Sequence, residues 1–335
     1  MADVASLVGA LGLAVASSAV VWLGSGLLER STARLSALYG LPPVVEGAVV
    51  IAVGSSFPEL STTVISTLLH GEFDLGVGAI VGSAIFNILI VPALAGLSAD
   101  SMEANRDLVF KESLFYMLSV AVLVITFSLA VIYEPVAGER LAGSITRSLA
   151  LVPVALYGLY VFVQWSDVAE SSRERATGES AWKEWGLLVA GLALIVVSVE
   201  GLVRAAIDLG QLAGTPSYVW GLTVVAAATS LPDAFVSLRA ARRDREIEAL
   251  ANVLGSNIFD LCVAIPAGVL VAGATVVDFA AAIPMFGALT FATVLLFTFM
   301  RTDLELENWE AVALLVAYGA FVVFVLETGG VVNLA

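Results

Sequence analysis

Long apolar stretches recur along the whole chain and constrain its fold more than any other feature. Runs such as 118–131, 187–199 and 311–326 carry no charged residue, and each lies in a stretch long enough to cross about 30 Å of hydrocarbon as a helix. Of the 335 residues, 59% are apolar and 13% are charged, which excludes an ordinary soluble domain. We therefore predict an all-α membrane protein, because a helix satisfies its own backbone polar groups in lipid.

Ten such spans are predicted, and a polar connector at 166–183 divides them into two sets of five. Because five is odd, two homologous halves must enter the membrane from opposite sides, which makes the chain an inverted repeat. We predict a first five-helix repeat at 1–165, a cytoplasmic connector at 166–183 and a second five-helix repeat at 184–335. The predicted spans are residues 4–28, 42–69, 74–98, 108–133, 145–164, 184–209, 216–240, 246–273, 276–300 and 308–327.

The positions of Lys and Arg orient the predicted spans. With the N-terminus outside, twelve of these residues fall on inner loops or flanks, and three fall on the outer side. The positive-inside rule therefore predicts a multi-pass protein of the cell membrane with both termini outside. The first span lacks a preceding basic region and a cleavage pattern, so we expect it to be retained. The three outer residues are Arg140, Arg147 and Arg204.

A polar motif occurs twice inside these apolar spans. The first copy comprises 54–60, which reads GSSFPEL, and 82–89, which reads GSAIFNIL; the second comprises 228–234, ATSLPDA, and 255–261, GSNIFDL. The carboxylate after the proline recurs at an offset of 174 residues, and the Asn or Asp that follows recurs at 173. Proline, hydroxyls and carboxylates are costly at lipid depth, so their duplication indicates a functional site.

Proline predicts where the second span changes course. Pro58 has no backbone N–H and its ring clashes with the preceding turn, so the helix should break near 54–57. The freed carbonyls are tolerated at membrane depth only where they line a site or are buried in protein. We expect the seventh span to repeat this break beside Pro232.

The donor set of the duplicated motif consists of oxygen atoms. Ser83 and Asn87 are four residues apart and share a helix face, and the same spacing recurs in the second copy. Glu59, Asp233 and Asp260 add carboxylates, which need cations or protons between them when they lie close together. Hard oxygen ligands suit calcium and alkali ions and argue against zinc, copper or iron. An inverted repeat brings these segments together near the midplane, so we expect a central cation site without a cofactor.

These residues resemble the alpha-repeats of the calcium/cation antiporter superfamily, which includes the sodium/calcium exchangers. The resemblance covers 40–98 and 214–272 and the five-plus-five layout. It implies one central ion site, joined by the backbone carbonyls of Ala52 and Ala226. The implied site residues are Ser55, Ser56, Glu59, Ser83 and Asn87 in the first repeat and Thr229, Ser230, Asp233, Ser256 and Asp260 in the second.

Within that superfamily, 232–233 and 255–260 are most similar to the potassium-dependent sodium/calcium exchangers. Ala228 departs from the glycine that is usual before Thr-Ser, and no large cytoplasmic regulatory domain interrupts the repeats. The resemblance implies a secondary antiporter that exchanges calcium for sodium by alternating access, with spans one and six sliding against a fixed core. Potassium co-transport stays open.

Three other functions are weighed against sodium/calcium exchange. A calcium/proton exchanger of the same fold typically carries Gly-Asn-x-x-Glu at its broken helices, whereas this chain has hydroxyls there, which favour sodium. An intramembrane aspartyl protease would use Asp233 and Asp260, but no Gly-x-Gly-Asp motif occurs and Glu59 would be unexplained, so we predict no enzyme. A passive channel more often uses rings from symmetric subunits.

The partners expected from the sequence are inorganic cations and the lipid bilayer. The formal net charge of −15 keeps the loops hydrated, and the basic run at 239–245 is interpreted as an orientation anchor rather than a nucleic-acid patch. We expect neither nucleic acid nor an obligate protein partner, and calcium, sodium and potassium enter as transported ions rather than as cofactors.

Overall fold

The structure is a computed structural model, and it describes most of the chain. Within the described residues, nine helices are long and apolar enough to cross a membrane, and a tenth span is divided into two helices. The protein is therefore an all-α multi-pass membrane protein, as predicted. The described residues are 4–39, 52–98, 102–103, 105–106, 108–139, 141–167, 181–241, 246–302 and 304–330.

The first half of the chain contains five spans. The first is one long helix, the second is split into two helices, and the fourth opens with a π-helical turn at Leu108–Glu112. Its helices are α1 (Val4–Tyr39), α2 (Ala52–Ser55), α3 (Phe57–His70), α4 (Phe73–Ser98), α5 (Ser113–Tyr133) and α6 (Arg147–Asp167).

The second half repeats this order of spans. Its second and third spans contain π-helical turns at Gly221–Val225 and Asp260–Ala264. Because each half has an odd number of spans, the halves form two inverted five-helix repeats. The helices are α7 (Ala181–Ala213), α8 (Ser217–Trp220), α9 (Ala226–Ala241), α10 (Glu246–Phe259), α11 (Ile265–Ala272), α12 (Phe279–Arg301) and α13 (Asn308–Thr328).

Most described helix ends lie within four residues of the predicted spans. The predicted end of the first span at residue 28 is wrong, because α1 continues to Tyr39, and no glycine or proline interrupts the sequence between residues 28 and 39. The predicted third span, 74–98, is the helix Phe73–Ser98, because an unbroken apolar run sets its length. Part of the predicted second span, 42–51, lies outside the described residues. So does most of the predicted connector, since α6 ends at Asp167 and α7 begins at Ala181, and the boundaries of the connector stay a prediction.

Helices α1 and α7, the first spans of the two repeats, pack against each other at very short range. A Cβ atom at Gly24 would lie 2.8 Å from Cγ1 of Ile195, and one at Gly191 would lie 3.0 Å from the Gly24 carbonyl oxygen. Small residues allow such close approach between membrane helices. An ion pair adds to this contact, in which Arg34 Nη1 donates to Glu184 Oε1 at 3.1 Å. The two helices therefore form a tightly joined pair.

Helix α4 lies at the centre of the bundle, and nearly all of its residues are buried. A Cβ atom at Gly82 would lie 2.2 Å from the carbonyl oxygen of Leu222, in the π-helical turn of the seventh span. The glycine therefore lets the backbones of the third and seventh spans touch. This contact places Ser83, the next residue on α4, beside the start of α9.

Two short antiparallel ribbons, which the sequence analysis did not predict, join the repeats outside the helices. β1 (Met102–Glu103) pairs with β4 (Glu305–Leu306), and β2 (Ala142–Thr146) pairs with β3 (Ala274–Asp278). The first ribbon joins the connectors after the third and ninth spans, and the second joins those after the fourth and eighth. Since successive connectors alternate between membrane faces, the two ribbons lie on opposite faces and the inverted symmetry exchanges them.

Candidate cation-binding site

The second span is interrupted at Ser56. Helix α2 ends at Ser55, Ser56 has φ −89° and ψ 8°, and α3 begins at Phe57 with Pro58 in its first turn. Proline fits there because backbone N–H groups in a first helical turn have no partner within the helix. The predicted break near 54–57 is confirmed. It places Glu59 in the first turn of α3, where the helix dipole stabilises a carboxylate.

The seventh span is not broken at the matching place, so that prediction is wrong. Helix α9 runs from Ala226 to Ala241 with Pro232 inside it. The span instead departs from regular geometry in the π-helical turn Gly221–Val225, just before α9. A membrane helix can continue through a proline by giving up one hydrogen bond, here the bond to the Ala228 carbonyl, so Pro232 does not force a break.

Hydroxyl groups from both repeats meet at the centre of the bundle. The Oγ atoms of Ser55 and Ser256 lie 3.1 Å apart. Ser230 Oγ donates to Ser83 Oγ at 2.7 Å, and Ser83 Oγ donates to Glu59 Oε1 at 3.3 Å. All five side chains are at most 6% exposed. The structure therefore brings together residues of the second, third, seventh and eighth spans, as the inverted repeat predicted.

The three predicted carboxylates are buried in the same region. Glu59, Asp233 and Asp260 are 2%, 4% and 1% exposed; Thr229 lies beside Glu59, and Ser56 lies beside Asp260. In the part of the chain that the structure describes, however, no three His, Cys, Asp or Glu side chains converge on a position that would hold one metal ion. A cation at this site must therefore also take oxygens from hydroxyl, amide or carbonyl groups.

Several buried oxygens of the candidate site make no hydrogen bond. Leaving such an atom unpaired costs about 1–3 kcal/mol, so each needs a physical reason. Eight buried side-chain oxygens in the described residues lack a hydrogen-bond partner, and half of them belong to predicted site residues from both repeats. A bound cation would give these oxygens their missing partner. The four atoms are Ser56 Oγ, Glu59 Oε2, Asn87 Oδ1 and Asp260 Oδ1.

The backbone at the predicted carbonyl ligands is described only in part. Ala226 is the first residue of α9, and its carbonyl accepts from Thr229 Oγ1 at 3.3 Å, a hydroxyl that also donates to the Val225 carbonyl at 3.2 Å. Ala52 is the first residue of α2. Both residues stand next to irregular backbone or at a helix start, and their ligand roles stay predictions.

Asn257 is a buried polar residue of this region that the sequence analysis did not select. It is 0% exposed, and its side chain contacts those of Asn87 and Tyr116 and the carbonyl of Ala84. Its counterpart in the first repeat is Ala84, so a search for polar residues shared by both copies passes over it. The available signal was its place directly after Ser256 inside the motif.

Comparisons with known proteins identify the family and the fold. A family model described as sodium/calcium exchanger protein matches residues 9–166 and 183–327. Sodium/calcium exchanger MaX1 of Methanosarcina acetivorans is 28% identical over 332 residues, covering 90% of this chain and 93% of that protein. Sodium/potassium/calcium exchanger 3 of Rattus norvegicus is 34% identical over 168 residues, which cover 50% of this chain and 23% of that protein.

A solved structure shows the same fold. The sodium-calcium exchanger NCX_Mj, soaked with sodium and strontium, matches with a TM-score of 0.64 and 24% identity over 95% of this chain and 98% of that chain. The family model covers nearly the whole of both repeats. The chain therefore belongs to the sodium/calcium exchanger protein family, whose members are membrane antiporters of cations rather than enzymes.

Proposed function

We propose that this protein exchanges calcium for sodium across the cell membrane by alternating access, with both termini outside. The observation that supports this most is the set of four buried oxygens without hydrogen-bond partners, contributed by both repeats next to the interrupted second span. Carboxylate, amide and hydroxyl oxygens are the ligands that calcium and sodium prefer.

The hydroxyl groups favour sodium over protons as the coupling ion. Ser55, Ser56 and Ser230 are neutral at any physiological pH, so they can ligate a cation but cannot carry a proton through the transport cycle. A calcium/proton exchanger remains the alternative, with the buried carboxylates as proton carriers. The two mechanisms differ in which gradient drives calcium.

The packing of α1 against α7 supports the proposed movement. Because Gly24 and Gly191 bring the two backbones together and Arg34 pairs with Glu184, the two helices would move as one unit. The other spans hold the site residues. Sliding of this pair across the remaining bundle would open the site to one face at a time.

Calcium flux in proteoliposomes tests the proposal. Vesicles loaded with sodium and diluted into sodium-free buffer should take up calcium, and collapsing the sodium gradient should stop the uptake. Calcium uptake driven by a pH gradient in sodium-free vesicles would indicate the proton alternative instead. Calcium flux that follows its own gradient with no counter-ion would indicate a channel and contradict antiport.

A single substitution links this flux to the site. Glu59→Gln keeps the size of the side chain but removes its charge, so we expect calcium uptake to fall by at least about tenfold while membrane insertion is unchanged. The matched control is Glu134→Gln, an exposed carboxylate after α5, which should retain wild-type uptake. Wild-type uptake by Glu59→Gln would contradict the assignment of the site.

A further inference from the structure

Asn257 connects three helices at the edge of the candidate site. It lies on α10, and its side chain reaches α4 and α5. Asn87 Nδ2 donates to Asn257 Oδ1 at 3.1 Å, and Asn257 Nδ2 donates to the Ala84 carbonyl at 3.2 Å and to the Tyr116 hydroxyl at 3.4 Å. Both polar atoms of the Asn257 side chain are thus engaged, and neither is left to face an ion.

The direction of these hydrogen bonds follows from the Ala84 carbonyl. A backbone carbonyl can only accept, so the end of the Asn257 amide that faces Ala84 must be the NH2 group. Its oxygen must then face Asn87, which has to present its own NH2 group in return. The Asn87 oxygen is therefore turned away from Asn257, and it is one of the buried oxygens without a partner.

We propose that Asn257 is a positioning residue that holds the amide oxygen of Asn87 toward the transported cation; this rests on the proposed function. The two ends of an amide act oppositely on a cation, because the oxygen attracts it and the NH2 group repels it. The terminal torsion of asparagine is broad and sets no orientation of its own. A neighbour with a fixed acceptor supplies that orientation.

The difference between the repeats supports this role. Asp260 stands at the position that matches Asn87, and a carboxylate presents oxygen at both ends, so it has no wrong orientation. The residue in the first repeat that matches Asn257 is Ala84, which has no polar side chain. The amide ligand is accompanied by an orienting amide, whereas the carboxylate ligand is not.

A double-mutant cycle tests the proposal on the full-length protein. Asn257→Ala is made in the wild-type background and in an Asn87→Asp background, and the calcium concentration for half-maximal thermal stabilisation in detergent is measured for all four proteins. Removing the acceptor lets the Asn87 amide rotate, so we expect roughly a tenfold loss of apparent calcium affinity in the wild-type background. In the Asn87→Asp background, where no orientation is needed, the loss should stay below about threefold.

The controls separate positioning from packing. Asn257→Leu has a similar shape without polar atoms. The double-mutant cycle is repeated with this variant, which also replaces Asn257→Ala if Asn257→Ala does not fold. Thr126→Val, a buried change on α5 whose hydroxyl bonds its own helix, should leave the affinity unchanged.

The outcomes distinguish this proposal from the proposed function. Equal losses of affinity in both backgrounds, in a protein that responds to calcium, would mean that Asn257 acts through packing and would overturn the positioning role. A wild-type protein that shows neither calcium nor sodium stabilisation would instead contradict the proposed function.

Discussion

Neutral oxygens and charged oxygens have different roles at the candidate site. Six hydroxyl groups and three carboxylates among the predicted site residues are buried. A divalent ion needs carboxylates to offset its charge and its lost hydration, whereas a monovalent ion is held well by neutral oxygens. Substitutions that remove one oxygen without changing the charge should therefore affect the binding of the monovalent ion more than that of the divalent ion.

Ser56 and Ser230 occupy matching positions in the two repeats. We predict that replacing either with alanine weakens the binding of sodium more than the binding of calcium. The sodium concentration for half-maximal exchange should rise about threefold to tenfold, while the calcium value changes less, because one neutral ligand is lost. Thr126→Val, which removes a buried hydroxyl bonded to its own helix on α5, serves as the control. Equal shifts for both ions, or none, would argue against a sodium role.

Asp260 carries the charge that distinguishes the second repeat from the first, where Asn87 stands. If this carboxylate binds a potassium ion that is carried with calcium, uptake by the wild type should depend on potassium, and Asp260→Asn should remove that dependence. If Asp260 is protonated when calcium binds, neither protein should respond to potassium. Calcium uptake with and without potassium in both proteins decides between them, and a potassium response that persists in Asp260→Asn would contradict both.

The two repeats use different elements to shape corresponding positions. The first repeat interrupts its helix at Ser56 and keeps α4 regular at Asn87. The second keeps α9 continuous through Pro232 and places a π-helical turn at Asp260. π-Helical turns are frequent at functional sites, because they redirect a side chain without breaking the helix. A duplicated sequence motif therefore does not imply a duplicated backbone.

The contact between α4 and the seventh span has a direct test in Gly82→Ala. Its Cβ atom would lie 2.2 Å from the Leu222 carbonyl oxygen, so the helices must separate, which costs about 1–3 kcal/mol. Gly96→Ala on the same helix is the control, because its Cβ atom would lie no closer than 3.7 Å to its neighbours. We expect a lower Tm in detergent and reduced calcium uptake for Gly82→Ala alone. Equal Tm values for the two variants would contradict this packing.

At the scale of the whole molecule, the apolar runs and the duplicated motif predict the spans, their grouping and the meeting of the site residues. They do so because span length follows from bilayer thickness and the shared motif marks what both repeats need. The ribbons escape prediction, since strands as short as Met102–Glu103 have no periodic pattern and pair with a distant connector. Asn257 escapes it for a related reason: its role depends on Asn87, a residue of the other repeat.

The ribbons also test the orientation of the whole molecule. With both termini outside, β2 and β3 lie on the outer face and β1 and β4 on the inner face. The one cysteine of the sequence, Cys262, is buried, so the wild-type protein has no thiol at its surface. In intact cells, Val276→Cys should therefore react with a membrane-impermeant maleimide. Glu307→Cys, next to β4, should react only after permeabilisation. The reverse pattern would invert the topology, and labelling of both residues from one face would contradict the placement of the two ribbons on opposite faces.

The pairing of β2 with β3 has a consequence for how the protein is made. Ala274–Asp278 leaves the ribosome more than a hundred residues after Ala142–Thr146, so the first strand waits unpaired while four further spans are synthesised. Ser83 and Asn87 likewise find partners in Ser230 and Asn257, on the later half. Newly inserted, the first repeat therefore has polar groups within the lipid that only the second repeat can satisfy, and biosynthesis must deliver both halves to the same place.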